Sequence, residues 1–311
     1  MKNVTLKQLR YFEALARHGH FGRAAESCSI TQPALSVQIK ELEQQLGAVL
    51  FERAARQVRL TTLGEAFLLR VQDVLRAVEG LGDLARASHA GLVGRLRLGV
   101  IPTIAPYLLP TIIGNLSEAH GELDVFVRET MTPKLVQELL DGRLDAAIVA
   151  LPIGEPSLVE EELFSENFVL IRPSADADKP VPNGEDLRRM RLLLLEEGHC
   201  FRDQTLAFCN IQSSLPRDGL DGSSLSTLVQ IVDAGMGVTL IPDMAVPIET
   251  RAASVSIARF ADPQPTRSIG MIWRKTNPLG DQLMQIAEIV RRSGLQNRGE
   301  VRHQSPQDAG T

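Results

Sequence analysis

From about residue 94 onward, short apolar runs alternate with stretches of helical period. Leu96–Ile101, Leu123–Arg128, Ala146–Leu151, Phe168–Ile171, Leu192–Leu195, Gly237–Ile241 and Ile269–Trp273 read as strands. Pro106–Ala119, Pro133–Leu140, Ser224–Ala234 and Leu279–Arg292 read as helices between them. Strands separated by whole helices cannot pair as tight hairpins and need crossover connections. The alternation therefore predicts an α/β layer fold with mainly parallel sheets.

The chain ahead of this region has a different texture. Residues 64–88 lack proline, and Phe67, Val71, Val74, Val78, Leu81 and Ala85 follow a 4-3-4-3-4 spacing. That is an a/d stripe. Polar residues and arginines flank it, which favours a linker helix pairing with a second copy through Phe67, Val71, Val74, Val78 and Leu81. A core helix of one domain fits the same spacing. Before it, Leu6, Leu9, Phe12 and Leu15 recur at helical spacing, and His18-Gly19-His20 interrupts them. Thr31 reads as an N-cap, with Gln32 and Pro33 in the first turn of a helix carrying Leu35, Ile39, Leu42 and Leu46 up to Gly47. Val49–Phe51 and Val58–Leu60 bracket a polar turn holding Arg53 and Arg56, a small β-wing.

The 311 residues are 44% hydrophobic and 23% charged, ample for a large core without metal or disulfide staples. The start has no signal-peptide pattern and no window is apolar enough to span a membrane, so the cytoplasm is expected. Structural disulfides are rare there, which sets Cys28, Cys200 and Cys209 apart. The net charge of −5 hides an asymmetry: residues 1–60 hold nine Lys+Arg against five acids, and the remainder 24 against 33. A basic end on an acidic body places any DNA contact at the N-terminus. His18, His20, His89, His120 and His303 show no metal-ligand spacing, so no metal is assigned. There is also no glycine-rich phosphate loop or nucleophile elbow, and no cofactor is expected.

Residues 21–46 meet the demands of a helix-turn-helix. Ala24 and Ala25 allow close helix crossing, Ser29-Ile30-Thr31 makes the turn, and Leu35, Ile39 and Leu42 face inward. Gln32, Pro33, Ala34, Ser36, Gln38 and Lys40 are left for DNA, with Arg53 and Arg56 on the wing for backbone phosphate. The run from Phe21-Gly-Arg-Ala-Ala-Glu-Ser-Cys-Ser-Ile-Thr-Gln-Pro-Ala-Leu-Ser to Gly47, followed by Leu50-Phe51-Glu52-Arg53, closely resembles the winged helix-turn-helix of LysR-type transcription regulators. The likeness covers residues 4 to about 65. Cys28 falls where that family usually has a buried Leu, and reads as a small core hydrophobe.

The segment Gly198-His199-Cys200-Phe201-Arg202-Asp203-Gln204, followed by Cys209, carries the candidate chemistry. A peroxide-reactive cysteine must be a thiolate and wants nearby cations or donors, for which His199 and Arg202 are candidates. A helix starting at Cys200 would add its N-terminus. Cys209 is a candidate resolving thiol that would stop over-oxidation. Nine residues along a helix rise roughly 13.5 Å, whereas a disulfide needs Cα atoms within about 7 Å. A helix over Arg202–Phe208 and a disulfide would therefore exclude each other, the property a switch requires. Spacing alone also fits two inert thiols, His199 also fits an exposed loop histidine, and Arg202 also fits an ion pair with Asp203 or Glu197.

This segment resembles the redox loop of the peroxide-sensing members of the LysR family. So do Gly99-Val-Ile-Pro-Thr103 with Pro106-Tyr-Leu-Leu-Pro110, and Gly235-x-Gly237-x-Thr239-Leu-Ile-Pro242. The resemblance implies a peroxidatic Cys200 and a resolving Cys209, with Thr103 and Thr132 hydrogen-bonding hydrogen peroxide and His199 and Arg202 tuning the site. Either threonine also fits a helix cap. The implied architecture is an α+β multidomain chain with a winged helix-turn-helix (1–62), a linker helix (63–90) and an effector domain (91–296) of periplasmic-binding-protein type. The effector subdomains would be 94–163 plus 268–295, and 164–267, with a disordered tail at 297–311. The implied function is a peroxide-sensing activator of oxidative-stress defence genes, not an enzyme. Its partners would be promoter DNA, RNA polymerase, further copies in a homodimer or homotetramer, and a thiol reductant such as glutaredoxin or thioredoxin. The alternative is a LysR-type regulator with a small metabolite in the effector cleft. A thiol peroxidase would leave the DNA-binding end without purpose, and a solute-binding transport protein would need an export signal.

Overall fold

The structure is a computed structural model describing residues 4–54, 57–87, 94–211 and 221–304. The chain divides into two compact units, Met1–Ser88 and His89–Thr311.

The first unit begins with α1 (Leu6–His18), α2 (Phe21–Ser27) and α3 (Gln32–Leu46). Local cap chemistry sets their limits. Thr5 and Gln8 form a reciprocal capping box at the head of α1, and Gly19 ends it in the left-handed conformation. Thr31 Oγ1 accepts the Ala34 amide at 3.4 Å, Pro33 sits in the first turn, and Gly47 closes α3 at φ +66°. An antiparallel hairpin follows, β1 (Phe51–Ala54) and β2 (Gln57–Leu60), pairing Phe51 with Leu60. Then comes α4 (Thr62–Ala87). Phe12, fully buried, holds Phe51 and Phe67 each at a ring-centroid distance of 5.1 Å.

The expected stripe on α4 is therefore split. Phe67, Val71 and Leu75 complete the core of the first unit, so Phe67 and Val71 are not free for a partner chain. Val78 is half-buried, and Val74 and Leu81 are 43% and 65% exposed. A heptad stripe is apolar along its whole length, and its first turns find their apolar neighbours within the same unit.

The second unit comprises β3 (Gly94–Val100), α5 (Ala105–Ala119), β4 (Leu123–Glu129), α6 (Thr132–Leu140), β5 (Ala146–Leu151) and β6 (Leu158–Pro173). After these come α7 (Gly184–Arg189), β7 (Leu192–Leu195), α8 (Cys200–Phe208), β8 (Asp221–Gly222), α9 (Leu225–Asp233), β9 (Val238–Pro242) and α10 (Val246–Glu249). The last are β10 (Val255–Arg259), β11 (Thr266–Arg274) and α11 (Gly280–Gln304). The strands form one sheet in the order β4-β3-β5-β11-β6-β9-β7-β8, with β10 beside β6.

The expectation of mainly parallel strands needs correction. Pairing is parallel among β4, β3 and β5 and again among β9, β7 and β8. It is antiparallel for β5/β11, β11/β6, β6/β9 and β6/β10. The cause is the chain path: β6 carries the chain from one half of the sheet to the other, and β11 brings it back. The subdomain limits read from sequence fall inside these two strands.

β6 is 16 residues long, far longer than the expected Phe168–Ile171. Its first half carries Glu160, Glu161 and Glu162, charges that mask the strand pattern in the sequence. Distant partners hold those carboxylates: Arg291 pairs with Glu161 at 2.5 Å, and the Ser268 hydroxyl donates to Glu162 at 2.7 Å. Glu160 accepts the Ile153 and Gly154 amides. The C-terminal helix also runs on to Gln304, past residue 297, where the tail was expected to begin. Backbone hydrogen bonding adds one bond per residue, so a helix anchored by packing of Leu283, Ile286 and Val290 extends into polar sequence.

Substituting Phe12→Ala is expected to cost the first unit about 3–5 kcal/mol. Trp273, the sole tryptophan, is buried in the second unit. Calorimetry should show one transition moved down while the Trp273 fluorescence transition stays in place. A single transition moving as a whole would contradict two separately folding units.

Candidate functional site

On α3, Leu35, Ile39 and Leu42 are fully buried, as the period requires. Gln32, Pro33, Ala34 and Lys40 are exposed and Ser36 and Gln38 half-buried. Gln38 Nε2 donates to Glu41 Oε2 at 2.8 Å, so part of its hydrogen-bonding capacity is taken up within the helix. The Arg53 side chain and all of Arg56 lie outside the described residues. Cys28 is half-buried at the end of α2, packed against the edge of the first core.

In the second unit, β7 is wholly buried and delivers the chain to a turn at Glu196–His199. Gly198 has φ +94°, and a Cβ there would meet Met131 Sδ at 2.7 Å. The turn thus lies hard against the β4–α6 loop and requires glycine. His199 is the N-cap residue of α8, Cys200 its first residue and Cys209 its C-cap. Cys200 is half-buried and Cys209 fully buried, and no disulfide joins them. All nine residues from Cys200 to Phe208 are helical, and roughly 13.5 Å of rise separates the backbone positions of Cys200 and Cys209. Cys200 sits where the unpaired amides of a helix N-terminus favour negative charge.

Three side chains of α8 hold its start in place. Phe201 stacks edge-on against Phe168 at 4.8 Å. Arg202 donates to the Leu195 carbonyl at 2.6 Å and pairs with Asp221 at 3.0 Å. Thr205 donates to the Phe201 carbonyl at 2.9 Å. The anion that Arg202 meets is Asp221, and neither of the expected Asp203 and Glu197.

Of the expected peroxide-site residues Arg202 lines neither of two neighbouring cavities, and the others are divided between them. Cys200 and Thr132 line one of about 510 Å³, with Gly198, Asp203 and Pro152. Thr132 begins α6 but makes no cap bond, and its buried hydroxyl has no hydrogen-bond partner among the described residues. Gln204 Oε1 is likewise buried and unpartnered. Thr103 and His199 line the second cavity, of about 370 Å³, with Tyr107 and Glu249. Burial pushes the His199 imidazole below its ordinary value, with Glu196 opposing more weakly. A neutral His199 can offer an N–H but no cation. The Tyr107 hydroxyl donates to Glu249 at 2.5 Å, and burial followed by this carboxylate raises Tyr107 well above its usual range.

Sequence reasoning missed Arg267 and Glu166. The Arg267 guanidinium is fully buried, donating to Thr103 Oγ1 at 2.8 Å and the Thr103 carbonyl at 3.0 Å, and pairing with Glu166 at 2.8 Å. It also lies 5.4 Å from the Phe201 ring centroid. Burial pushes the Glu166 carboxyl up, while Arg267 and then the Met244 amide pull it down. The available signal was slight: Arg267 stands between Thr266 and Ser268, just ahead of the apolar run Ile269 to Trp273. Among the described residues no cluster is arranged to hold a metal, and no helix is long and apolar enough to cross a membrane.

Comparison with known proteins matches residues 6–65 to the bacterial regulatory helix-turn-helix protein family, lysR type, and residues 89–294 to the LysR substrate binding domain. A probable hydrogen peroxide-inducible genes activator from Streptomyces viridosporus is 42% identical over 295 residues, 93% of this chain and 94% of that one. Full-length OxyR from Pseudomonas aeruginosa, in a cysteine-to-aspartate variant, superimposes with TM-score 0.70 at 37% identity, covering 93% and 98% of the two chains. A cysteine-to-serine mutant of Corynebacterium glutamicum OxyR with hydrogen peroxide bound gives 0.68 at 33% identity, covering 99% of both.

Glu166→Gln should destabilise the second unit by about 3–5 kcal/mol, since it leaves Arg267 buried without a counter-charge. Urea unfolding followed by Trp273 fluorescence measures it, and a loss below 1 kcal/mol on the same order-of-magnitude scale would contradict the tie. His199 has its folded value below the unfolded one, so its contribution is intact above about pH 6.5 and is lost as the pH falls. Stability of the second unit should drop between pH 7.5 and 5.5, and by less in His199→Asn, in unfolding curves at the two pH values.

Proposed function

This chain belongs to the LysR family of bacterial transcription regulators, and on that premise we propose that it is a hydrogen peroxide-sensing activator switched by a Cys200–Cys209 thiol/disulfide pair. The observation that carries the reading is α8 itself. It places Cys200 at a helix N-terminus, in a cavity shared with the Thr132 hydroxyl, which has no partner among the described residues, and Cys209 beyond bonding reach in the core.

The chemistry follows from those positions. The Cys200 thiolate attacks one peroxide oxygen, the O–O bond breaks, and the departing hydroxide takes up a proton as water. Cys200 is left as sulfenic acid. Thr132 donates to the bound peroxide, and Thr103, whose oxygen already accepts from Arg267, has its own proton to give. His199 contributes a neutral N–H. Arg202 anchors the start of α8 to β7 and Asp221. The Cys209 sulfur, giving up its proton, then attacks the Cys200 sulfur, hydroxide leaves and takes up that proton as water, and a disulfide forms. Nine residues of helix do not fit within about 7 Å, so α8 must unfold. A thiol reductant of the glutaredoxin or thioredoxin kind, in the cytoplasm, restores both thiols and the helix.

The first unit binds promoter DNA through α3 and the hairpin. Val74 and Leu81 on α4 join two copies, which assemble further to a tetramer, and the oxidised form engages RNA polymerase at peroxide-defence genes. Restoration by an outside reductant makes the protein a signalling switch and no enzyme.

Reduced protein given about one equivalent of hydrogen peroxide for seconds should yield a Cys200–Cys209 disulfide by mass spectrometry, with Cys28 still free and helical circular dichroism reduced. Cys200→Ser should abolish both changes. Cys200 remaining reduced would end the sensor reading and leave a LysR-type regulator with a metabolite effector.

A further inference from the structure

On α3 one exposed side chain serves neither the core nor the polar contacts described above. Val37 is 53% exposed, and among the described residues of α3 it alone combines a large apolar side chain with an exposed position. It lies two residues from Leu35 and two from Ile39, both fully buried. At 100° per residue it therefore points roughly 160–200° away from the buried stripe. A β-branched residue gains the helix nothing in propensity.

Val37 is also not isolated. Pro33 and Ala34, one turn earlier at i−4 and i−3, are exposed as well. Together they form an apolar strip on the N-terminal half of α3, the part of such a helix that enters the major groove. Polar side chains rim the strip: Gln32 and Lys40 are exposed, and Gln38 is tied to Glu41. An apolar patch on a surface that meets DNA needs an apolar group in the groove. Among the four bases, only thymine presents one there, its 5-methyl group.

We propose that Val37 is a specificity-determining residue that contacts the 5-methyl group of one thymine in each operator half-site, seated by Pro33 and Ala34. This inference rests on the reading of α3 as the DNA-reading helix. Cytosine lacks the methyl and presents an amino donor instead, so the strip rejects it, whereas the polar rim is free to read neighbouring base edges.

The test uses the full-length protein and a random-core duplex library. Sequences enriched by binding define the half-site. Affinities are then measured by fluorescence anisotropy with each thymine of the half-site replaced in turn by deoxyuridine, which removes only the methyl. One position is expected to lose about fourfold in affinity per half-site, the worth of one buried methyl. In Val37→Ser, an exposed position that the fold tolerates, that loss should vanish and the thymine preference at the same position should relax. Equal affinity for thymine and deoxyuridine at every position would overturn the inference while leaving DNA binding intact. So would a methyl effect unchanged in Val37→Ser. Failure to enrich any sequence would overturn the DNA-binding reading itself, and this inference with it.

Discussion

A guanidinium cannot lie alone in a protein interior, and the partners of Arg267 tie the second unit together. Glu166 answers it from β6, Thr103 from the approach to α5 with both hydroxyl and carbonyl, and Phe201 from α8 with its ring. Arg267 itself stands on β11. One cation therefore joins both strands on which the chain crosses the sheet to the first turn of the helix that carries Cys200. The Glu166 carboxylate adds the Met244 amide, so the single 3₁₀ turn Asp243–Ala245 after β9 is held to the same point. Replacing such a pair with apolar groups can be neutral, but removing one partner leaves a bare charge. That asymmetry keeps the members of the cluster dependent on one another.

The helix between the cysteines depends on this frame. Nine residues are too few for a helix that stands by itself in water, so α8 persists through packing. Phe201 stacks on Phe168, Phe208 on Phe260 at 5.1 Å, and Cys209 fills a place in the core. Contacts of this kind are each modest, and a covalent sulfur–sulfur bond competes with their sum. The contacts that support the helix are those that its opening would give up, so a local chemical event there would bear on the surrounding sheet.

The two units also divide the electrostatic work. The basic end meets polyanionic DNA, and the acidic remainder of the chain gives no such attraction. Within the first unit α4 changes character along its length: its first turns close the aromatic core around Phe12, and its later turns leave Val74 and Leu81 exposed.

What the sequence determined by itself was whatever rests on local rules. Thr31, Gly19 and Gly47 bound their helices because caps satisfy backbone groups only a few residues away. Ala146–Leu151 and Leu192–Leu195 were legible as strands because each is a continuous apolar run. The family motifs and the Cys200–Cys209 spacing were legible for the same reason, being contiguous. Only the tertiary structure decided the length of β6, the antiparallel centre of the sheet, the separation of Thr103 from Thr132 into two cavities, and the place of Arg267. Each of these depends on a partner far along the chain: Arg291 for Glu161, Glu166 for Arg267, Asp221 for Arg202. Backbone hydrogen bonding is a short-range constraint that a sequence displays in its period, whereas a buried charge is satisfied by whichever distant group the fold brings to it.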